Sequence, residues 1–169
     1  MARLSLPVVL IGPMGAGKTR VGMRLAASAG APFIDTDARI VERHGTIPDI
    51  FAERGEPGFR ELEREVVAEA LHEDAVVSLG GGAVLDPGTR RDLAELPVVW
   101  LRVTPQAVAS RLAGGGRPLL VDGGIDAWRR INTEREPVYA SLADLTIDTS
   151  RRSVARIVAD ITGRFGVHE

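Results

Sequence analysis

Lys18 stands in a stretch whose residue types and spacing predict phosphate binding. The octapeptide Gly-Pro-Met-Gly-Ala-Gly-Lys-Thr, from Gly12 to Thr19, fits the pattern G-x-x-x-x-G-K-[ST]. Its glycines let backbone N–H groups point at phosphate oxygens, and the Thr19 hydroxyl is placed to ligate Mg²⁺. Lys18 is the only lysine among 21 lysine and arginine residues, which indicates that a guanidinium would not serve there. The predicted nucleoside triphosphate ligands are Gly12, Gly15, Ala16, Gly17, Lys18 and Thr19.

Two carboxylates, Asp35 and Asp37, end the next apolar run. Their i, i+2 spacing at a strand end predicts that they point the same way, toward the phosphate site. One could hold Mg²⁺ through water, and the other could accept a proton from a substrate hydroxyl. Asp37 is explained equally well as the N-cap of the helix that follows, and one residue can serve both purposes.

Three glycines, Gly80, Gly81 and Gly82, follow a third apolar run. Many P-loop proteins carry an Asp at the end of this strand to steer Mg²⁺, whereas the polar residue here is Ser78. Successive glycines allow backbone N–H groups to approach a ligand closely, although an ordinary loop explains them too.

Four arginines are candidate anion ligands. Arg60 and Glu63 are spaced i, i+3 on an amphipathic helix, and a surface ion pair explains them without further evidence, as it does Arg111 and Arg135. Arg117 differs because glycines bound its segment, 114–124, on both sides. Such a segment can swing an arginine over bound phosphates, with a solvated loop arginine as the plainer alternative.

Elements that alternate between short apolar runs and amphipathic stretches must position these side chains. This alternation is typical of an α/β domain with a parallel sheet flanked by helices, whose ligands gather at the carboxyl ends of the strands. The predicted strands are 7–11, 31–36, 75–79, 98–103 and 145–148. The predicted helices are 18–29, 37–44, 47–53, 59–71, 87–96, 105–113, 125–135 and 153–165.

Composition narrows the class of protein. A length of 169 residues with 44% hydrophobic residues predicts one folded domain over residues 1–169. A formal net charge of −2 argues against nucleic acid as a partner. The chain has no cysteine, so thiol catalysis and zinc–thiolate sites are excluded, and no apolar run is long enough to span a membrane. We expect a soluble, cytoplasmic protein.

Taken together, the motifs resemble those of the shikimate kinases, a family with the nucleoside monophosphate kinase-like P-loop fold. The resemblance covers nearly the whole chain, in the order that the family has. Besides the P-loop it rests on Asp35-Thr36-Asp37, Asp49-Ile50-Phe51, Gly55-Glu56, Phe59-Arg60, the segment from Ser78 to Val84, Arg117-Pro118-Leu119-Leu120 and the segment from Arg135 to Tyr139.

The resemblance implies a five-stranded parallel sheet with a mobile lid at about 114–124, and ATP-dependent phosphorylation of the 3-hydroxyl of shikimate by a monomer. It implies that Lys18, Asp37 and Arg117 are catalytic. It also implies nucleotide contacts from Arg111 and Arg152, and Mg²⁺ held by Thr19 directly and by Asp35 and Ser78 through water. The implied ligands of shikimate are Asp37, Arg60, Gly81, Gly82 and Arg135, with Glu63 supporting the arginines.

Two other functions stay open from the residues. The first is a kinase of another small hydroxy acid such as gluconate, against which the glycine triplet and the Phe59-Arg60 segment weigh. The second is a nucleotide-binding module without catalysis, which should have lost Asp37, Arg60, Arg117 or Arg135. None of these four residues is missing.

Overall fold

A five-stranded parallel sheet forms the centre of the molecule in the computed structural model, which describes residues 3–113 and 124–167. The strands are β1 (Arg3–Leu4), β2 (Val8–Ile11), β3 (Phe33–Asp35), β4 (Val76–Ser78), β5 (Val98–Arg102), β6 (Leu145–Asp148) and β7 (Gly166–Val167). The main sheet has the order β3-β4-β2-β5-β6, and β1 pairs with β7 in a separate antiparallel pair. The predicted parallel sheet is confirmed, whereas the two-residue strands of the small pair were too short to predict.

Seven helices of the described residues cover the sheet. They are α1 (Lys18–Ala29), α2 (Thr36–His44), α3 (Ile47–Ala70), α4 (Pro87–Leu93), α5 (Pro105–Ala113), α6 (Gly124–Leu142) and α7 (Val154–Phe165). None of them is long and apolar enough to cross a membrane. The predicted lid segment lies outside the described residues apart from Gly124, and so does Arg117.

Several predicted boundaries were wrong, and helix α4, for example, ends at Leu93 and not at residue 96. The second strand ends at Asp35, not at residue 36, because the Asp35 side chain caps α2 directly. The two helices predicted at 47–53 and 59–71 are both present within α3, and they meet at Gly55, whose φ of 68° and ψ of 180° are not helical and suit glycine. Helix α6 was predicted to end at residue 135, but it continues through Pro137 to Leu142 because the buried Tyr139 holds its last turns on the core.

Apolar side chains of the strands alternate between the two faces of the sheet. Leu10 packs on the face covered by α1 and α7, and Val9 and Ile11 pack on the face that carries Tyr139. A third, smaller cluster joins α2 to both halves of α3, with Ile40, Ile50, Phe59, Leu62 and Val66. The P-loop thus rests on the main core, while the helices that carry Asp37 and Arg60 share a core of their own.

Candidate active site

The P-loop joins β2 to α1, and β2 is the middle strand of the sheet. The chain continues from β2 to β3 and β4 on one side of it, and then crosses to β5 and β6 on the other side. Ligands of such sheets bind at this change of direction. Gly17 is the N-cap of α1, with a φ of 92°, and it has no side chain to cap the helix. The first N–H groups of α1 are therefore left for an anion, which the helix dipole also favours. Gly12 is needed for another reason, since a Cβ there would collide with the carbonyl oxygen of Leu101.

Lys18 folds back over the loop that precedes it. Its Nζ donates to the carbonyl oxygens of Gly12 at 2.6 Å and Pro13 at 3.0 Å. Burial lowers the pKa of Lys18 to about 8, and the nearby Asp37 and Asp35 oppose that shift. The ammonium is thus held against the loop with two carboxylates close by, and a bound phosphate would further favour its charged form.

The two carboxylates of the Asp35-Thr36-Asp37 segment have different surroundings. Asp35 is the N-cap of α2, and its Oδ1 accepts from the N–H groups of Asp37 at 3.0 Å and Ala38 at 3.2 Å. The alternative that Asp37 is the cap was therefore wrong. Burial and the charge of Asp35 raise the pKa of Asp37, while Lys18 and Arg60 oppose that shift. A raised pKa makes the ionised Asp37 carboxylate a stronger proton acceptor than an ordinary Asp.

Oxygen atoms suited to a hard cation meet where β3 and β4 end. The Thr19 hydroxyl donates to Oδ2 of Asp35 at 3.4 Å. Asp35 is the register partner of Ser78 in the sheet, and Ser78 is buried. Hydroxyl and carboxylate oxygens are the ligands that Mg²⁺ prefers, so the residues that lie here fit that ion.

The glycine triplet lies directly against three charged side chains. A Cβ on Gly80 would lie 2.6 Å from Oδ1 of Asp37, and one on Gly82 would lie 2.5 Å from Nη2 of Arg60. A Cβ on Gly81 would lie 3.2 Å from Nη1 of Arg135. The triplet therefore brings together side chains from α2, α3 and α6, and any larger residue there would displace them.

Arg60 belongs to a partly buried ion pair, and the surface pair considered from the sequence was wrong. Its Nη1 donates to Oε1 of Glu63 at 2.7 Å, and Glu63 is only 3% exposed. Burial raises the pKa of Glu63 although Arg60 opposes the shift. Nη2 of Arg60 lies 3.6 Å from Glu56, and the guanidinium stands over the Phe59 ring. These contacts fix the guanidinium with its outer edge toward Gly82.

Tyr139 is a site residue to which the sequence assigned no role. Its hydroxyl donates to the carbonyl oxygen of Gly81 at 2.6 Å, and the residue is fully buried. Burial raises the pKa of Tyr139, while the neighbouring Arg135 and Arg60 oppose the shift. Tyr139 lies one helical turn after Arg135, at the end of a segment that carries the family resemblance, and these two features are the signals in the sequence that pointed to it.

The two arginines assigned to the nucleotide lie in different settings. Arg111 on α5 donates from Nη1 to the carbonyl oxygen of Gly15 at 2.7 Å, and from Nη2 to that of Thr149, so it touches the P-loop. Arg152 pairs with Asp160 at 2.9 Å, with half of its side chain exposed. The structure thus joins Arg111 to the predicted site and places Arg152 on the surface at the start of α7.

The fold and the site define a P-loop kinase that acts on a small molecule. The family model for shikimate kinase matches residues 14–165 of the chain. A shikimate kinase of Thermobifida fusca is 50% identical over 148 residues, which are 86% of each chain. The chain belongs to the shikimate kinase family.

Solved structures agree with that assignment. A shikimate kinase from Acinetobacter baumannii in complex with shikimate has a TM-score of 0.84 and 35% identity, over 91% of this chain and 89% of that one. A gluconokinase from Sinorhizobium meliloti has a TM-score of 0.63 at 20% identity, over 95% and 91% of the two chains. That second likeness shows the fold alone.

Proposed function

We propose that this protein transfers the γ-phosphoryl group of ATP to the 3-hydroxyl of shikimate, a step in aromatic amino acid biosynthesis. The observation that carries the proposal is the glycine triplet, against which Asp37, Arg60 and Arg135 all pack. The family, and the shikimate bound to the Acinetobacter baumannii relative, give the acceptor its identity.

ATP places its phosphates at the start of α1 in this proposal. The loop around Gly12, Gly15 and Gly17, with Ala16, surrounds them, and the Lys18 ammonium turns from its own loop carbonyls to the transferred phosphoryl group. Arg111 lies on the adenine side, where its bond to Gly15 also supports the loop. Arg152 is the second arginine on the adenine side, and its ion pair with Asp160 must break before it can contact the nucleotide.

Mg²⁺ would be held by Thr19 directly and by Asp35 and Ser78 through water, and it would neutralise charge on the phosphates. The proximity of Thr19 to Asp35 supports this assignment. In the part of the chain that the structure describes, no three carboxylate or imidazole groups cluster tightly enough to hold a metal by themselves. Phosphate oxygens and waters therefore complete the proposed coordination shell.

Shikimate is an acid with ring hydroxyls, so it needs a clamp for its carboxylate and an acceptor for a hydroxyl proton. Arg60 and Arg135 form the clamp, since a guanidinium binds a carboxylate through two charge-assisted hydrogen bonds. Gly81 and Gly82 line the floor beneath the clamp, and Glu63 orients Arg60.

Asp37 accepts the proton of the attacking 3-hydroxyl. The hydroxyl oxygen then forms a bond to the γ-phosphorus while the bond to the bridging oxygen of ADP breaks. The raised pKa of Asp37 favours this proton transfer, and Lys18 stabilises the charge on the transferred group.

Arg117 and a mobile lid at about 114–124 complete the proposal, with support from the sequence. A lid that closes over ATP excludes water that would otherwise hydrolyse it. The proposal further includes a single domain over residues 1–169 that works as a cytoplasmic monomer. Size-exclusion chromatography with light scattering tests the monomer.

A coupled assay of ADP release tests the function. The acceptors are shikimate, gluconate, nucleoside monophosphates and no acceptor, each with and without Mg²⁺. We expect release that depends on both shikimate and Mg²⁺. Comparable rates with gluconate, or with no acceptor, would contradict the proposal.

A further inference from the structure

Every backbone carbonyl from Gly12 to Gly17 accepts a hydrogen bond. Lys18 serves the first two, and the N–H of Val21 serves the last. The three carbonyls between them bond to side chains from distant parts of the chain. Their donors are Trp128 Nε1 to Met14 at 2.8 Å, Arg111 Nη1 to Gly15 at 2.7 Å and Thr149 Oγ1 to Ala16 at 2.8 Å.

This arrangement decides which way the loop faces. The N–H and the C=O of one peptide unit point in opposite directions, so a carbonyl that is bonded on one side directs its N–H to the other. A loop whose carbonyls are all bonded has lost the freedom to turn an oxygen toward an anion. When Lys18 turns to the phosphates, Pro13 keeps the N–H of Ala16 as a donor, and the next three carbonyls keep their side-chain donors. The loop backbone then needs little rearrangement to bind phosphate, and less binding energy is spent on ordering.

Met14 depends on Trp128 more than the other loop residues depend on their donors. Its side chain is 42% exposed, so packing of that side chain does little to hold it. Trp128 is 3% exposed, belongs to the α6 helix that begins at Gly124, and lies 114 residues away in sequence. A buried indole that bonds an otherwise loosely held carbonyl fixes the exposed tip of the P-loop.

We propose that Trp128 is a positioning residue of the nucleotide site, which acts on ATP through the carbonyl of Met14. This inference rests on the proposed function for the identity of the nucleotide. The same stripe of α6 carries Arg135 and Tyr139, seven and eleven residues further on, so one helix face holds the P-loop and the acceptor clamp. The effect of Trp128 is nevertheless on the nucleotide, because its bond is to the P-loop.

Replacing tryptophan with phenylalanine at two positions tests this. Trp128→Phe keeps an aromatic ring and removes the N–H, so the Met14 carbonyl loses its donor. We expect about tenfold weaker binding of ADP and ATP, with shikimate affinity within about twofold of wild type. Trp100→Phe is the matched control, since Trp100 is 6% exposed and its Nε1 has no partner among the described residues. It should leave nucleotide affinity unchanged.

Calorimetry with ADP needs no phosphoryl transfer, so the test stands even if the acceptor is not shikimate. Equal nucleotide affinity in the Trp128→Phe and Trp100→Phe variants would overturn the inference. If Trp128→Phe unfolds or loses both ligands, a second variant decides between the outcomes. In the Trp100→Phe background Trp128 is the one remaining tryptophan, and β-(3-benzothienyl)alanine replaces it. This analogue keeps the shape of indole without its N–H. Weaker ADP binding then supports the bond to Met14, and unchanged binding overturns it.

Discussion

Lys18 is the only lysine in the chain, and the other 20 of its 21 lysine and arginine residues are arginines. Burial lowers the pKa of Lys18 to about 8, whereas burial raises the pKa of Asp37. The two pKa values are shifted toward each other, and in the proposed mechanism the active form has Asp37 ionised and Lys18 protonated. The expected pH range of activity is therefore narrower than an ordinary Asp and an ordinary Lys would give.

The first prediction is a bell-shaped pH profile of kcat/KM for ATP. Activity should rise as Asp37 loses its proton, above the pH at which an ordinary Asp ionises, and fall above about pH 8 as Lys18 loses its own. Lys18→Ala should lower the rate by about 10²–10³. Lys18→Arg should also be impaired, but its residual activity should show no alkaline fall near pH 8, because guanidinium stays protonated. An alkaline limb that survives in this variant would assign it to another group.

The second prediction separates the acceptor from the nucleotide. Arg60→Ala and Arg135→Ala should each raise KM for shikimate by about tenfold or more, since each removes charge-assisted hydrogen bonds. Calorimetry should find ADP affinity near wild type in both. Variants that lose ADP and keep shikimate would show that the clamp is misassigned.

At the scale of the elements, the loop after β4 is important because its three glycines have no side chains. Side chains of α2, α3 and α6 occupy the space beside Gly80, Gly81 and Gly82. The loop thus forms a surface against which charged side chains from three helices pack. The bond from Tyr139 to the Gly81 carbonyl fastens that surface to α6.

The third prediction is that Gly82→Ala raises KM for shikimate by about tenfold while leaving ADP affinity unchanged. The new Cβ would lie 2.5 Å from the Arg60 guanidinium, which must move out of its position in the clamp. Gly163→Ala is the matched control, because a Cβ there meets nothing within 4 Å and α7 lies away from the clamp. If Gly82→Ala kept the wild-type KM, the contact between the triplet and Arg60 would have no role in binding.

Local patterns were enough to predict the P-loop, the five parallel strands and most helices. They could not reveal that Glu63 is buried, because an i, i+3 pair looks the same on a surface as in a core. The kink of α3 depends on a positive φ at Gly55. Helix α6 continues through Pro137 to the fully buried Tyr139, and a local pattern does not show that burial. The bond between Trp128 and Met14 spans 114 residues and has no local signature.

At the scale of the whole molecule, α6 contacts both the P-loop and the proposed acceptor clamp. It begins at Gly124, at the end of the predicted lid, and carries Trp128 against the P-loop and Arg135 against Gly81. Residues 114–123, which include Arg117, therefore join α5, whose Arg111 also touches the P-loop, to α6. Both helices that flank the predicted lid are bonded to the loop that the lid would cover.

The fourth prediction concerns Arg117. Arg117→Ala should lower turnover strongly with a smaller change in shikimate affinity, and Arg117→Lys should restore turnover only in part, because an ammonium lacks the planar fork. Arg117→Ala with wild-type turnover would show that Arg117 has no catalytic role and that the segment only covers the site.

A separate measurement uses the fluorescence of Trp128, whose Nε1 is bonded to the P-loop. In the Trp100→Phe background, adding nucleotide should change the emission of Trp128.

The identity of the product tests the central claim most directly. Shikimate and ATP are incubated with the protein and Mg²⁺, and ³¹P–¹H correlation NMR locates the new phosphate ester on the ring. We predict a single ester on the 3-hydroxyl, formed in equal amount with ADP. An ester on another hydroxyl, or inorganic phosphate as the only product, would contradict the account.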